Sequence, residues 1–168
     1  MSSAYCRPGA DPQPSSFWRR ICTNYDRSFV ANLACLYVNG GFKVLYGVAL
    51  QELLRVKYKL SPTELQVAFA FIMFPWDFKI LYGIICDTVK LPFFGDSPKR
   101  GYLMLFALIQ GTCLAVAGLN QLPGEDGAAT LLWLFFVCSL CGAFMDCVID
   151  GVTCIQQRND PVHGAQDL

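Results

Sequence analysis

The chain has 168 residues, of which 54% are hydrophobic and 15% are charged, and its formal net charge is zero. Soluble domains carry roughly 25% charged residues, so this composition favours a membrane protein and predicts no basic surface for nucleic acid. His163 is the single histidine and the nine cysteines lie mostly in apolar runs, so we expect no metal site, no cofactor and no enzyme activity.

Four apolar segments dominate the chain. Residues 1–28 precede them and contain prolines and serines but no apolar run, which predicts a flexible tail. A helix needs about 20 mostly apolar residues to cross a bilayer. The segments that meet this length are 29–54, 65–86, 101–119 and 128–149. We therefore predict an all-α membrane protein, with four transmembrane helices in residues 29–150 and a polar C-terminal tail at 151–168.

The second span has a marked start and an interruption. Ser61 suits an N-cap, Pro62 the first helical position, and Glu64 the third position of a capping box. Pro75 removes a backbone donor inside the span, which predicts a kink. In a straight helix Asp77 would point towards lipid, because its neighbours one turn away are apolar.

Lysine and arginine are distributed unevenly between the two sides of the predicted bundle. The N-terminal tail, the second loop and the C-terminal tail together carry eight, whereas the first and third loops carry three. Basic residues near spans are enriched on the cytoplasmic side. We therefore expect both termini in the cytoplasm.

Several ionisable side chains fall inside the predicted spans or near their ends: Lys43, Lys79, Asp146 and Asp150. Such groups are costly in hydrocarbon and usually face a bundle interior, where they meet a partner or a polar solute. Asp146 and Asp150 lie one helical turn apart and repel each other, so one stays protonated or a cation lies beside them. The two lysines are the natural countercharges.

Small or polar residues share helix faces with these charges. They are Asn39, Gly40 and Gly47 beside Lys43, and Gly142 beside Asp146. Residues of this kind let two helices approach closely, or they line a cavity. Both alternatives stay open for the stripe, and for the three glycines we predict helix packing.

Three stretches carry a family resemblance. The second span contains LSPTELQ and PWDFKILYGIICD, the following loop reads GDSPKRGYLML, and the fourth span ends in AFMDCVIDGVTCIQQR. In combination they resemble the folate–biopterin transporter family, a branch of the major facilitator superfamily, over residues 29–168. The resemblance implies a carrier of folate or pterin substrates, with proton coupling as one option, of which this chain resembles the first four spans of the N-terminal half.

Helical spacing, charge and the resemblance together suggest roles for individual residues. The substrate or ion pathway would contain Asn39, Lys43, Lys79, Asp146 and Asp150. A cytoplasmic gate would contain Gly83, Asp87, Lys99 and Arg100. The implied partners are the lipid bilayer, the substrate, and a missing transmembrane half or partner subunit. The expected location is the plasma membrane.

Departures from the family pattern keep a second hypothesis open. Ile80 and Ile155 stand where the family usually has proline and glutamate. Four spans are also too few for a substrate site built between two halves, so the chain would be incomplete or shortened. The alternative is a non-transporting membrane protein, either a degenerate paralogue or a helical subunit of a larger membrane complex.

Overall fold

The computed structural model describes residue 25 and residues 27–89, 98–119 and 124–157, and every regular element in these ranges is helical. The elements are α1 (Arg27–Val56), α2 (Pro62–Met73), a 3-10 turn (Phe74–Phe78), α3 (Lys79–Thr88), α4 (Pro98–Leu119) and α5 (Gly124–Gln157). The stretches long and apolar enough to cross a membrane are Phe29–Val56, Pro62–Thr88, Lys99–Leu119 and Asp126–Gln157. The prediction of four membrane-spanning helices is confirmed.

Both predicted tails lie largely outside the described residues. This holds for residues 1–24 and 158–168, and therefore for His163. Helix α5 continues to Gln157, seven residues beyond the predicted end of the transmembrane region at Asp150. Val152 in this extension packs against a small cluster that contains the buried Phe29, so a contact with α1 accompanies the last turns of α5.

The central element of the bundle is α5. Of its most apolar 18-residue window, 56% is buried, compared with 6% for α1. It packs against α4, α3, the 3-10 turn, α2 and α1. A mostly apolar helix in the centre of a bundle is one that other helices surround, and the stretch of α5 from Leu131 to Ile149 contains most of its buried residues. In contrast, α1 exposes apolar side chains such as Phe42 and Leu45 along its outer face.

An aromatic cluster joins α3, α4 and α5. The Phe144 ring lies 4.2 Å from Phe106, 5.2 Å from Tyr82 and 5.6 Å from Tyr102, measured between ring centroids. Neighbouring Ala143 is fully buried, which lets the helices approach closely at this level. This cluster fixes the rotation of α3 against α5, and so the direction in which the polar face of α3 points.

Pro75 divides the second span. The chain tightens into the 3-10 turn at Phe74–Phe78 and resumes an α-helix at Lys79. Proline cannot donate the bond that an α-helix requires, and short 3-10 segments accommodate the loss. The predicted interruption is therefore present, and Asp77 lies within it with an exposed side chain.

The start of α2 carries the predicted capping box. The Glu64 backbone N–H donates to Ser61 Oγ at 3.4 Å, and the Ser61 N–H donates to the Glu64 carboxylate at 2.7 Å. Pro62 occupies the first turn. This reciprocal pair satisfies two backbone donors and confirms the predicted helix start.

Candidate functional site

The polar centre of the bundle is an ion-pair group between α3 and α5. Lys79 is the first residue of α3, and its Nζ is paired with the Asp146 carboxylate. The Asp150 carboxylate lies 3.6 Å from the same nitrogen. Since Asp146 and Asp150 are one turn apart on α5, a single ammonium group offsets the repulsion between both carboxylates.

The two carboxylates differ in exposure. The side chain of Asp146 is 29% accessible and that of Asp150 is 67% accessible, while that of Lys79 is 35% accessible. Asp146 is therefore the closer and better shielded partner of Lys79, and Asp150 is the more exposed one. The 3-10 turn makes this geometry possible, because it positions the first turn of α3 opposite α5.

Trp76 connects this ion-pair group to α1. The Lys43 Nζ lies 4.5 Å from the centroid of the Trp76 ring, and the Lys79 Nζ lies 5.1 Å from it. The indole N–H donates to Ser139 Oγ at 3.0 Å, which fixes the ring against α5. Sequence reasoning did not place Trp76 or Ser139 in the site. The signal for Trp76 was its position one turn before Lys79 in an apolar span.

A cavity of about 450 Å³ opens beside these groups. It is lined by α1 residues that include Gly40 and Lys43, by Trp76, and by Asp146 and Asp150 on α5. Lys43 and Trp76 also line a smaller cavity of about 220 Å³ on their other side, together with Ser139. Lys43 thus stands between two cavities, and four of the five predicted pathway residues meet at the larger cavity and the ion-pair group beside it.

Asn39, the fifth predicted pathway residue, belongs to a different part of the bundle. Its Nδ2 donates to the Gln110 side-chain oxygen at 3.1 Å, which links α1 to α4. Both amides line a cavity of about 430 Å³ that is otherwise mostly apolar. Gln110 is buried, and sequence reasoning missed it. A polar residue in the middle of the apolar third span was the available signal.

The residues of the predicted gate are joined loosely. Lys99 Nζ lies 3.8 Å from Asp87, whose side chain is 74% accessible, and Arg100 is exposed. Exposed pairs of this kind contribute at most about 1 kcal/mol. Gly83 faces α5, where an added Cβ would lie 3.4 Å from Cys147 Sγ. The loop residues 90–97 between the two helices lie outside the described ranges.

The three glycines predicted to pack helices differ from one another. An added Cβ at Gly40 or Gly47 would meet no described atom within 4 Å, so their packing role stays a prediction. At Gly142 an added Cβ would lie 2.6 Å from Lys43 Nζ and 2.9 Å from its Cε. Gly142 therefore provides the space that the Lys43 side chain occupies.

The BT1 family model matches residues 40–166. The chain belongs to the BT1 family. The matched range contains every predicted site residue except Asn39, which precedes it by one position. No solved structure matches the chain. The family resemblance inferred from the sequence is confirmed by this match.

Two curated proteins show the same relationship as the BT1 family model. The chain is 30% identical over 137 residues to "Probable folate-biopterin transporter 4" of Arabidopsis thaliana, and the aligned residues make up 81% of the chain and 27% of that protein. It is 33% identical over 104 residues to "Folate transporter 1" of Plasmodium falciparum (isolate 3D7), which covers 60% of the chain and 20% of that protein. The chain thus spans less than a third of the length of either relative.

BT1 family membership and the helices together define the class of protein. Four helices have the length and composition to cross a bilayer, and the matched relatives are named as transporters. The chain is an integral membrane protein. Among the described residues, no group of three or more His, Cys, Asp or Glu is arranged to hold a metal ion.

Proposed function

We propose that this chain takes part in the transport of folate- or pterin-type compounds, as four spans of a major-facilitator-like carrier. The relatives named above supply the substrate class. The observation that carries the proposal is the group of Lys43, Lys79, Asp146 and Asp150 beside a cavity of about 450 Å³. Charged groups at membrane depth typically mark a substrate or ion pathway.

The shared ammonium of Lys79 suits a carrier that changes conformation. Asp146 and Asp150 both lie within reach of Lys79, so the ion pair can pass from one carboxylate to the other. Protonation of one carboxylate removes its charge and leaves Lys79 with the other. The exchange would let α3 shift against α5 without leaving an isolated charge, and it gives protons a route to drive transport.

The proposed carrier has an orientation and a gate. The excess of lysine and arginine on one side supports cytoplasmic termini, and we place the protein in the plasma membrane. The Asp87–Lys99 pair then lies on the cytoplasmic side, where it bridges α3 and α4. Because the pair is exposed and weak, it can break and re-form during each transport cycle.

Uptake of radiolabelled folate and pterin by cells expressing the gene tests this proposal. We expect uptake above the level of cells carrying an empty vector. For Lys79→Ala at equal surface expression we expect a decrease of at least about tenfold, which corresponds to an increase of about 1.4 kcal/mol or more in the activation free energy of transport. Lys57→Ala is the matched control, since Lys57 is exposed beyond the end of α1.

The outcomes separate the proposal from its alternative. Unchanged uptake by Lys79→Ala would refute the role of Lys79. Uptake no higher than in the empty-vector cells, together with co-purification of a stable membrane partner, would replace the carrier with a non-transporting subunit.

A further inference from the structure

Lys43 is a cation at membrane depth that forms no ion pair with a carboxylate of the described residues. It lies near the middle of α1, and the three ion pairs among the described residues involve Lys79 and Lys99. Its contact is the face of Trp76, 4.5 Å away. A cation–π contact offsets about 0.5–2 kcal/mol of the cost of a buried ammonium, which is less than the roughly 2.5–3.5 kcal/mol that a lysine at the bilayer centre incurs.

Two residues of α5 fix the position of the Lys43 ammonium. One orients the Trp76 ring that the ammonium contacts, and the other leaves space for the ammonium itself. Ser139 accepts the indole N–H of Trp76 and so sets the orientation of the ring. Gly142, almost one turn further along the same face, leaves the space for Lys43 Nζ and Cε. The far end of a flexible side chain would have to move if a methyl group filled this space. The position of the charge therefore depends on the absence of a side chain at Gly142, where an added Cβ would meet Lys43 first and Trp76 only at 3.9 Å.

The surroundings of Lys43 suit one class of ligand. The cavity beside it is lined by the Lys43 ammonium and the indole of Trp76, and also by the Asp146 and Asp150 carboxylates, with which Lys79 is already paired. A ligand carboxylate could form the direct ion pair that no described residue forms with Lys43, and a planar ring attached to it would contact the aromatic side chain.

We propose that Lys43 is the receptor for the carboxylate of a planar aromatic acid in this cavity, and that Gly142 is the residue that positions it. The proposal deepens the proposed transport function and rests on it for the choice of ring. It assigns different roles to the two lysines. Lys79 maintains the link between α3 and α5, and Lys43 binds the ligand.

The test is a binding measurement on the full chain purified in detergent or reconstituted in lipid nanodiscs. Equilibrium dialysis compares folic acid, which carries carboxylates, with 6-methylpterin, which has the ring alone. For Gly142→Ala and for Lys43→Gln we expect folic acid to bind about tenfold more weakly or worse, because a charge-assisted contact is lost. The affinity for 6-methylpterin should change less than about threefold, which a general loss of structure would not allow.

Gly41→Ala is the matched control. Gly41 lies on the same span as Lys43, and an added Cβ there meets no described atom within 4 Å. The variant has the same gain in helix propensity as Gly142→Ala and should bind both compounds as the unmodified chain does. Double substitution Lys43→Gln with Gly142→Ala should weaken folic acid no further than Lys43→Gln alone.

Three results would overturn the inference: equal weakening of both compounds, no weakening of folic acid, or no binding of either compound by the unmodified chain. Failure here is distinct from failure of transport. Folate uptake that is insensitive to Gly142→Ala and Lys43→Gln would refute the receptor and leave transport standing. Folic acid binding through Lys43 without any uptake would refute transport and leave the receptor standing.

Discussion

The ion pair between Lys79 and Asp146 gives a quantitative prediction about stability. Removing one partner leaves the other charge at membrane depth, which costs roughly 2.5–3.5 kcal/mol when the site is fully shielded. Here 35% of the Lys79 side chain and 29% of the Asp146 side chain are accessible, so we expect about 1–2 kcal/mol after allowing for solvent. Asp150 lies 3.6 Å from Lys79 and can replace Asp146 in part. Lys79→Met should therefore destabilise more than Asp146→Asn.

A double-mutant cycle measures this coupling directly. The variants are Lys79→Met, Asp146→Asn and the combination of both, and the free energy of unfolding is measured in mixed micelles of denaturing and mild detergent. Since the double variant leaves no unpaired charge from the couple, its stability should exceed the additive value by about 1–2 kcal/mol. Asp87→Asn is the control, because its pair with Lys99 is exposed and its removal should cost less than about 0.5 kcal/mol.

Strict additivity of the two single changes would refute the reasoning. It would mean that Lys79 and Asp146 do not stabilise each other in the bilayer-like environment, and the link between α3 and α5 would then have to come from apolar packing alone.

Two further changes test the packing and the helix start. Phe144→Ala removes a ring that is 5% exposed and in contact with three other aromatic rings, and it should lower the free energy of unfolding by about 3–5 kcal/mol, whereas Leu108→Ala, at a 69% exposed position, should have little effect. Similar losses for both would contradict the assigned core. Ser61→Ala breaks the capping box, and it should cost about 1 kcal/mol and speed hydrogen exchange in the first turn of α2. Unchanged exchange at Glu64 would show that the cap is not needed.

Much of the fold follows from local sequence properties. Backbone polar groups of an apolar run cannot stay unsatisfied in lipid, and a helix satisfies them within the run itself. The four spans therefore form helices irrespective of how they pack against one another. The start of α2 and its interruption at Pro75 also depend on local chemistry, since Ser61 and Pro75 act on the backbone next to them. Predicted and observed ends differ most at α5, which continues to Gln157 where Val152 packs against the cluster around Phe29.

The site could be predicted only in part. Helical spacing placed Asp146 and Asp150 on one face and identified the lysines as partners, and Lys79 does pair with both carboxylates. Spacing along one helix does not state which face of another helix lies opposite. For that reason Asn39 was grouped with Lys43, although its hydrogen bond goes to Gln110 on α4.

The sequence by itself determined that this chain forms four membrane helices, that charges would gather inside them, and that its motifs resemble those of the folate–biopterin transporter family. Those conclusions depend on composition, periodicity and local motifs, which act within one helix. Only the tertiary structure decided that Lys79 takes both carboxylates while Lys43 rests on Trp76 in the space left by Gly142. The physical reason is that the rotation of each helix is set by side-chain packing between helices, such as the aromatic cluster around Phe144, and the pairing of charges follows from that rotation.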